Sequence, residues 1–142
     1  MNHHQPPLLR IARPSRDLEA ARAFYTSGLG LQVLFSFEEH EGFDGVILGF
    51  PAWPYELELT RNRSRPAIPQ PTEEDLLVFN LTDETAWDAA VRQLRRFGAR
   101  EVAPSNPYWR RGGVAFEDPD GYTLILYRAR DDVREPARFA SR

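Results

Sequence analysis

The chain runs twice through one pattern: an apolar strand, an aspartate, an amphipathic helix closed by glycine, then short strands separated by turns. In the first half, residues 8–12 form the apolar strand and Asp17 is a natural helix cap, since its side chain can accept an orphan backbone N–H. Leu18, Ala21, Phe24 and Tyr25 then make one helical stripe, which Gly28 and Gly30 end. Strands are expected at residues 32–37, 45–50 and 55–60. In the second half, residues 76–81 are the strand and Asp83 the cap. Trp87, Ala90, Val91, Leu94 and Phe97 form the stripe, Gly98 closes it, and strands follow at 100–103, 114–117 and 123–128. Each half is therefore a βαβββ module.

The turn before the last strand is the sharpest local signal. In GGVAFEDPDGYTLILY, Pro119 presets φ for a tight turn and Gly121 accepts the positive φ that other residues resist. Domain organisation follows: an N-terminal tail at 1–7, a first module at 8–60, a linker at 61–74, a second module at 75–128 and a C-terminal tail at 129–142. Within the linker, residues 61–71, RNRSRPAIPQP, carry three prolines and three alternating arginines. The stretch is read as stiff and solvated, with an arginine rim for an anion as the alternative. The tail from Ala129 onward is a frayed end or a packing arm for a partner subunit.

Composition removes several chemistries. Without cysteine there is no thiolate nucleophile or sulfur-ligated metal, and without lysine there is no Schiff base or phosphate-loop amine. His3 and His4 lie in the tail, leaving His40 alone in the body, and no GxSxG elbow is present, so a nucleophilic hydrolase is not expected. His40 itself reads as a solvent-facing hairpin tip, with a catalytic base as the minority reading. A net charge of −3 offers no basic face for nucleic acid. No apolar run is long enough to span a bilayer, and the first residues, MNHHQPP, form no signal sequence, so the expected location is the cytoplasm.

Four stretches, in order, carry a resemblance that covers about residues 8–128: Asp17-Leu18 with Phe24-Tyr25, Gly28-Leu29-Gly30-Leu31, Glu56-Leu57-Glu58-Leu59-Thr60, and Asp118-Pro119-Asp120-Gly121-Tyr122. On these the chain resembles the vicinal oxygen chelate superfamily of glyoxalases, extradiol dioxygenases, and fosfomycin and bleomycin resistance proteins. The resemblance implies an α+β fold of two βαβββ modules forming a curled mixed-sheet cleft, usually with a metal on its floor, and homodimers in many members.

The resemblance also implies where ligands to that metal would stand. They fall at Arg10, seven positions before the capping Asp17, at Glu58, at about Leu77 and at Ile125. Only Glu58 can bind a metal, whereas a catalytic divalent ion wants about three protein ligands. No metal or other cofactor is therefore expected, and Arg10 and Glu58 are expected to pair where the ion would sit.

The expected ligand-binding residues are Arg10, Glu58, Phe79, Trp109 and Tyr127. Glu56, Glu58 and Thr60 share a strand face opposite Leu57 and Leu59, a face that the residues alone read as solvated. Thr123, Ile125 and Tyr127 likewise share a face, where Tyr127 is either a ligand contact or a core aromatic. Phe79 faces the same way as Leu77, with packing as its other role. Trp109, in the loop NPYWRR, covers either the cleft mouth or a dimer seam, and Trp53 with Tyr55 poses the same choice. These aromatics suit a small organic molecule as partner.

The leading expectation is a glyoxalase/bleomycin-resistance-like protein of unassigned specificity, binding a small organic molecule without metal, as a homodimer. One alternative is a metal-dependent lyase, isomerase or dioxygenase using Glu58, with His40 as the missing ligand. The other is a non-catalytic dimeric accessory domain whose cleft is filled by its own side chains.

Overall fold

The computed structural model describes residues 5–129. His3, His4 and the tail beyond Ala129 lie outside the described residues. The protein is α+β and divides into two compact units between Gln70 and Pro71.

The first unit runs β1 (Leu9–Pro14), α1 (Leu18–Ala23) continued by a π-helical turn at Phe24–Gly28, β2 (Gln32–His40), β3 (Phe43–Gly49) and β4 (Tyr55–Asn62). Its mixed sheet has the order β1-β4-β3-β2, with β1 parallel to β4 and the other pairs antiparallel. Asp17 caps α1 by accepting the Ala20 N–H at 3.0 Å, a bond of the kind worth about 1 kcal/mol. Ala21, Phe24 and Tyr25 are buried against the Leu57, Leu59, Val46 and Leu48 side of the sheet. Because side chains alternate along a strand, this leaves Glu56, Glu58 and Thr60 on the other side.

The second unit repeats the plan with β5 (Leu76–Leu81), α2 (Glu84–Phe97), β6 (Arg100–Val102), a 3-10 turn at Pro107–Arg110, β7 (Gly113–Glu117) and β8 (Thr123–Arg128). The sheet order is β5-β8-β7-β6, again with one parallel pair, β5 and β8. Asp83 caps α2 through the Thr85 N–H, and Gly98, at φ +92°, closes it in the left-handed conformation. Val91 and Leu94 are buried, and the Trp87 indole N–H donates to the Leu126 carbonyl at 3.0 Å, fixing α2 on β8. In the turn before β8, Asp118 accepts the N–H groups of Asp120 and Tyr122 at 2.8 and 3.0 Å.

The β2–β3 hairpin is longer and tighter than the sequence suggests. It turns through Glu41 and Gly42, with Glu39 and Glu41 held at φ +48° and +50°. Buried Asp44 secures it: its carboxylate accepts the Glu39 N–H at 3.0 Å, Arg61 at 2.7 Å and Arg63 at 2.9 Å. The arginine-rich stretch is solvated, as expected, but its first residues are not free linker. Arg61 belongs to β4, and both Arg61 and Arg63 are tied to the hairpin rather than forming a rim for an anion.

Candidate functional site

Strand register sets out the exposed side of the first sheet in rows. Arg10 stands opposite Glu56, and Glu56 opposite Gly49. In the next row Ala12, Glu58, Ile47 and Phe35 cross all four strands. The following row is Pro14, Thr60, Gly45 and Phe37. Glu58 therefore lies beside Ile47, and beyond it on β2 stand Phe35 and Phe37, whose rings are 6.2 Å apart.

The charges on this face form one cluster. Arg10 Nε donates to Glu56 Oε1 at 2.9 Å, and a second nitrogen lies 2.9 Å from the same oxygen. A third guanidinium nitrogen lies 4.0 Å from Glu58 Oε1. The sequence pairs Arg10 with Glu58, but parallel register sets it against Glu56, which takes the short contact. Glu56 and Glu58 keep only 16% and 18% side-chain exposure, against 46% for Arg10. Phe35, two strands away on the same side, is 60% exposed, a large apolar surface to leave in water.

The second sheet treats its equivalent side differently. The rows there are Val78, Ile125, Ala115 and Val102, then Asn80, Tyr127 and Gly113. Ile125 and Ala115 are fully buried. The connection at residues 103–112 returns over this sheet, and its 3-10 turn is capped by Asn106, which accepts the Tyr108 N–H at 3.0 Å. Trp109 packs edge-on to Tyr127 with ring centres 5.2 Å apart, and Tyr108 stacks on Tyr127 at 5.9 Å. The fit demands glycine at 113, since a Cβ there would run into the Trp109 carbonyl oxygen and meet Ile125.

Two assignments from sequence are corrected by register. Phe79 stands opposite Leu126, on the α2 side of the sheet, so it does not share a face with Tyr127. The β5 residue that sits opposite Ile125 is Val78, not Leu77. Of the five expected ligand contacts, Arg10 and Glu58 come together in the first unit, Trp109 and Tyr127 in the second, and Phe79 joins neither pair.

The residues fit a metal poorly. At the implied ligand positions stand Arg10, Glu58, Val78 and Ile125, a donor set with one carboxylate and a permanent cation. Among the described residues no three His, Cys, Asp or Glu side chains converge. His40 does not complete the set: it pairs with Phe43 and Phe43 with Asn62, four positions beyond Glu58 on β4, or about 13 Å along the strand. Its ring lies 3.8 Å from Glu41 and is largely exposed.

Sequence reasoning missed a concavity, a groove of about 590 Å³ between the start of α1 and the β2–β3 hairpin. Leu18, Arg22, Phe37, Glu38, Val46 and Arg61 line it. Only the nonlocal packing of a helix on a hairpin creates it, so no local motif announces it. Trp53 and Tyr55, 6.4 Å apart, lie elsewhere, where Trp53 joins Leu8, Pro51 and Pro54 in an exposed apolar patch. No helix among the described residues is long and apolar enough to cross a membrane.

Comparison with known proteins agrees with this architecture in both halves. The YycE-like N-terminal domain family matches residues 9–60, and the YycE-like C-terminal domain family matches residues 74–128. The chain is 37% identical over 126 residues to the uncharacterized protein YycE of Bacillus subtilis strain 168, covering 89% of this chain and 91% of that one. A crystal structure of a YycE protein of unknown function from Bacillus subtilis superposes with a TM-score of 0.80 at 38% identity, over 86% of this chain and 89% of that one. Two more distant structures share the fold. Leishmania major glyoxalase I has a TM-score of 0.69 at 20% identity, over 96% of this chain and 95% of its own. TnmS3, an antibiotic binding protein from Streptomyces sp. CB03234, has a TM-score of 0.62 at 21% identity, over 89% and 98%.

Proposed function

The chain belongs to the YycE-like family of the vicinal oxygen chelate superfamily, and from that premise we propose that it binds a small organic molecule on the open side of its first sheet. One observation carries the reading: the row of Ala12, Glu58, Ile47 and Phe35 puts a largely desolvated carboxylate and an exposed aromatic ring on one sheet side, two strands or about 10 Å apart, a span that a small organic molecule can bridge. Binding sites combine a mostly apolar wall with a few fixed polar groups, and this row has both. Phe35 would stack on a flat ligand, and Glu58 would accept a hydrogen bond from it. The carboxylates of this face are already engaged by Arg10, an arrangement that suits holding a ligand, and sequestration is the reading we take. Binding of this sort is what the name of TnmS3, an antibiotic binding protein, describes for that more distant structure.

The aromatic cluster supports a different role for the second unit. Trp109 and Tyr127 contact each other and cover their own sheet, so a ligand there would first have to displace Trp109. That favours the accessory reading for this unit alone.

The test is titration of the full chain with a panel of aromatic antibiotics, read by thermal denaturation and by tryptophan fluorescence. A compound that raises Tm in the native chain, and does so much less in Phe35→Ala and Glu58→Gln, is the expected result. Equal stabilisation in both variants would move the site elsewhere, and stabilisation by no member of the panel would count against the reading.

A further inference from the structure

Superfamily resemblance places a metal where this chain has Arg10, and the disagreement is itself informative. We infer that the Arg10 guanidinium is the resident cation of the first sheet, bridging Glu56 and Glu58 in the place of a divalent ion. This rests on the reading of that sheet side as the site and adds what neutralises it.

Glu56 and Glu58 project from the same strand toward the same side, and each has lost more than four-fifths of its exposure to water. Two carboxylates this dry, two positions apart on one strand face, are stabilised by a positive partner, because desolvation removes the water that would otherwise screen them. The described cation within 4.0 Å of both is Arg10, at 2.9 Å from Glu56 and 4.0 Å from Glu58. Parallel pairing of β1 with β4 puts it there: Arg10 sits directly opposite Glu56, and its side chain is long enough to lean one row along the sheet to Glu58. A guanidinium keeps its charge at any ordinary pH and offers a planar fork of donors to more than one oxygen.

Occupancy by Arg10 has two consequences. A divalent ion approaching Glu58 would meet a fixed positive charge about 4 Å away, so the native site should reject metals that a bare pair of carboxylates would hold. The cation is also covalently part of the chain, so chelators and dialysis cannot remove it.

Zinc and manganese ions alone, added in turn to the full untagged chain, test this without any organic ligand. The native protein and Arg10→Lys, which keeps the charge, should retain no stoichiometric metal after dialysis and show no change in Tm with either ion. Arg10→Gln should lose Tm by about 3 °C, the size of a single exposed-to-half-buried ion pair in a chain of this length. Millimolar manganese should restore most of that loss, and Arg10→Gln combined with Glu56→Gln should no longer respond to it. The double variant also removes the like-charge repulsion, so it reports even if Arg10→Gln alone folds poorly. Metal retained by the native chain at one equivalent and lost in Glu58→Gln would overturn the inference. So would Arg10→Gln indifferent to metal. Neither result bears on the antibiotic titration, which stands or falls on Phe35 and Glu58.

Discussion

The two sheets share strand order, pairing directions and an aspartate-capped helix, yet their sides away from the helix have opposite characters. The first exposes Phe35 on the same side as an Arg-Glu-Glu cluster, and the second buries Ile125 and Ala115 under Trp109. What separates them is one connection. Between β2 and β3 the chain turns at Glu41-Gly42, whereas between β6 and β7 it takes residues 103–112 and folds back. Topology is thus set by repeated patterning, and the fate of each face by loop length and a few side chains.

Glycine substitutions should break this contrast most forcefully. Gly113 and Gly45 both lie on the sheet sides in question, and a Cβ at either would collide with a neighbour. At Gly113 the neighbour is the main-chain carbonyl of Trp109, which cannot rotate away. Gly113→Ala should cost about 3 kcal/mol, in the range of overpacking that forces backbone to shift. At Gly45 the neighbour is the tip of the Phe37 ring on a side facing solvent, so Gly45→Ala should cost under about 1 kcal/mol as the ring swings aside. Urea denaturation of both variants checks the difference, and equal losses would mean that the first sheet is as tightly covered as the second.

Acid should sharpen the contrast from another direction, because the tight hairpin of the first unit depends on Asp44. The Glu39 N–H, then Arg61 and Arg63, hold its carboxyl at a pKa of about 2, below its ordinary value of 3.8. A depressed folded-state pKa stabilises the fold above the unfolded-state value, and that contribution is lost as pH falls through the folded one. Stability attributable to Asp44 should therefore hold above about pH 4 and drain away between about pH 4 and 2. Native and Asp44→Asn chains should converge in Tm across that window. Parallel curves would show that the carboxylate does not anchor the hairpin.

Much of this architecture was legible in the sequence for local reasons. Asp17, Asp83, Gly98 and the Asp118–Tyr122 turn act through neighbours a few positions away, and each performs the role its position implies. The site was legible only in part, because its contacts depend on pairing between distant strands. LLVFNL at β5 is nearly all apolar, so alternation cannot tell which face Phe79 takes until β8 pairs with it. Glu56 and Glu58 are equivalent by alternation, and only the register with β1 gives Arg10 to Glu56. Arg61 and Arg63 sit among prolines and look solvated, while the residue they hold, Asp44, lies across a strand pair.

The smallest expected effect on stability separates surface from site. Trp109 makes ring contacts with both Tyr108 and Tyr127 and covers a buried row, so Trp109→Ala should cost about 2 kcal/mol, less than a fully buried aromatic would. Phe35 is 60% exposed, and its ring partner Phe37 can repack, so Phe35→Ala should cost no more than about 0.5 kcal/mol. An exposed aromatic that contributed so little to folding would match the proposed binding surface rather than a packing one. Measured side by side, the two variants should therefore invert: Trp109→Ala unstable with ligand response intact in the first unit, Phe35→Ala stable with that response lost. Should Phe35→Ala prove as destabilising as Trp109→Ala, Phe35 would be packing against something in solution, and the first sheet would be covered like the second.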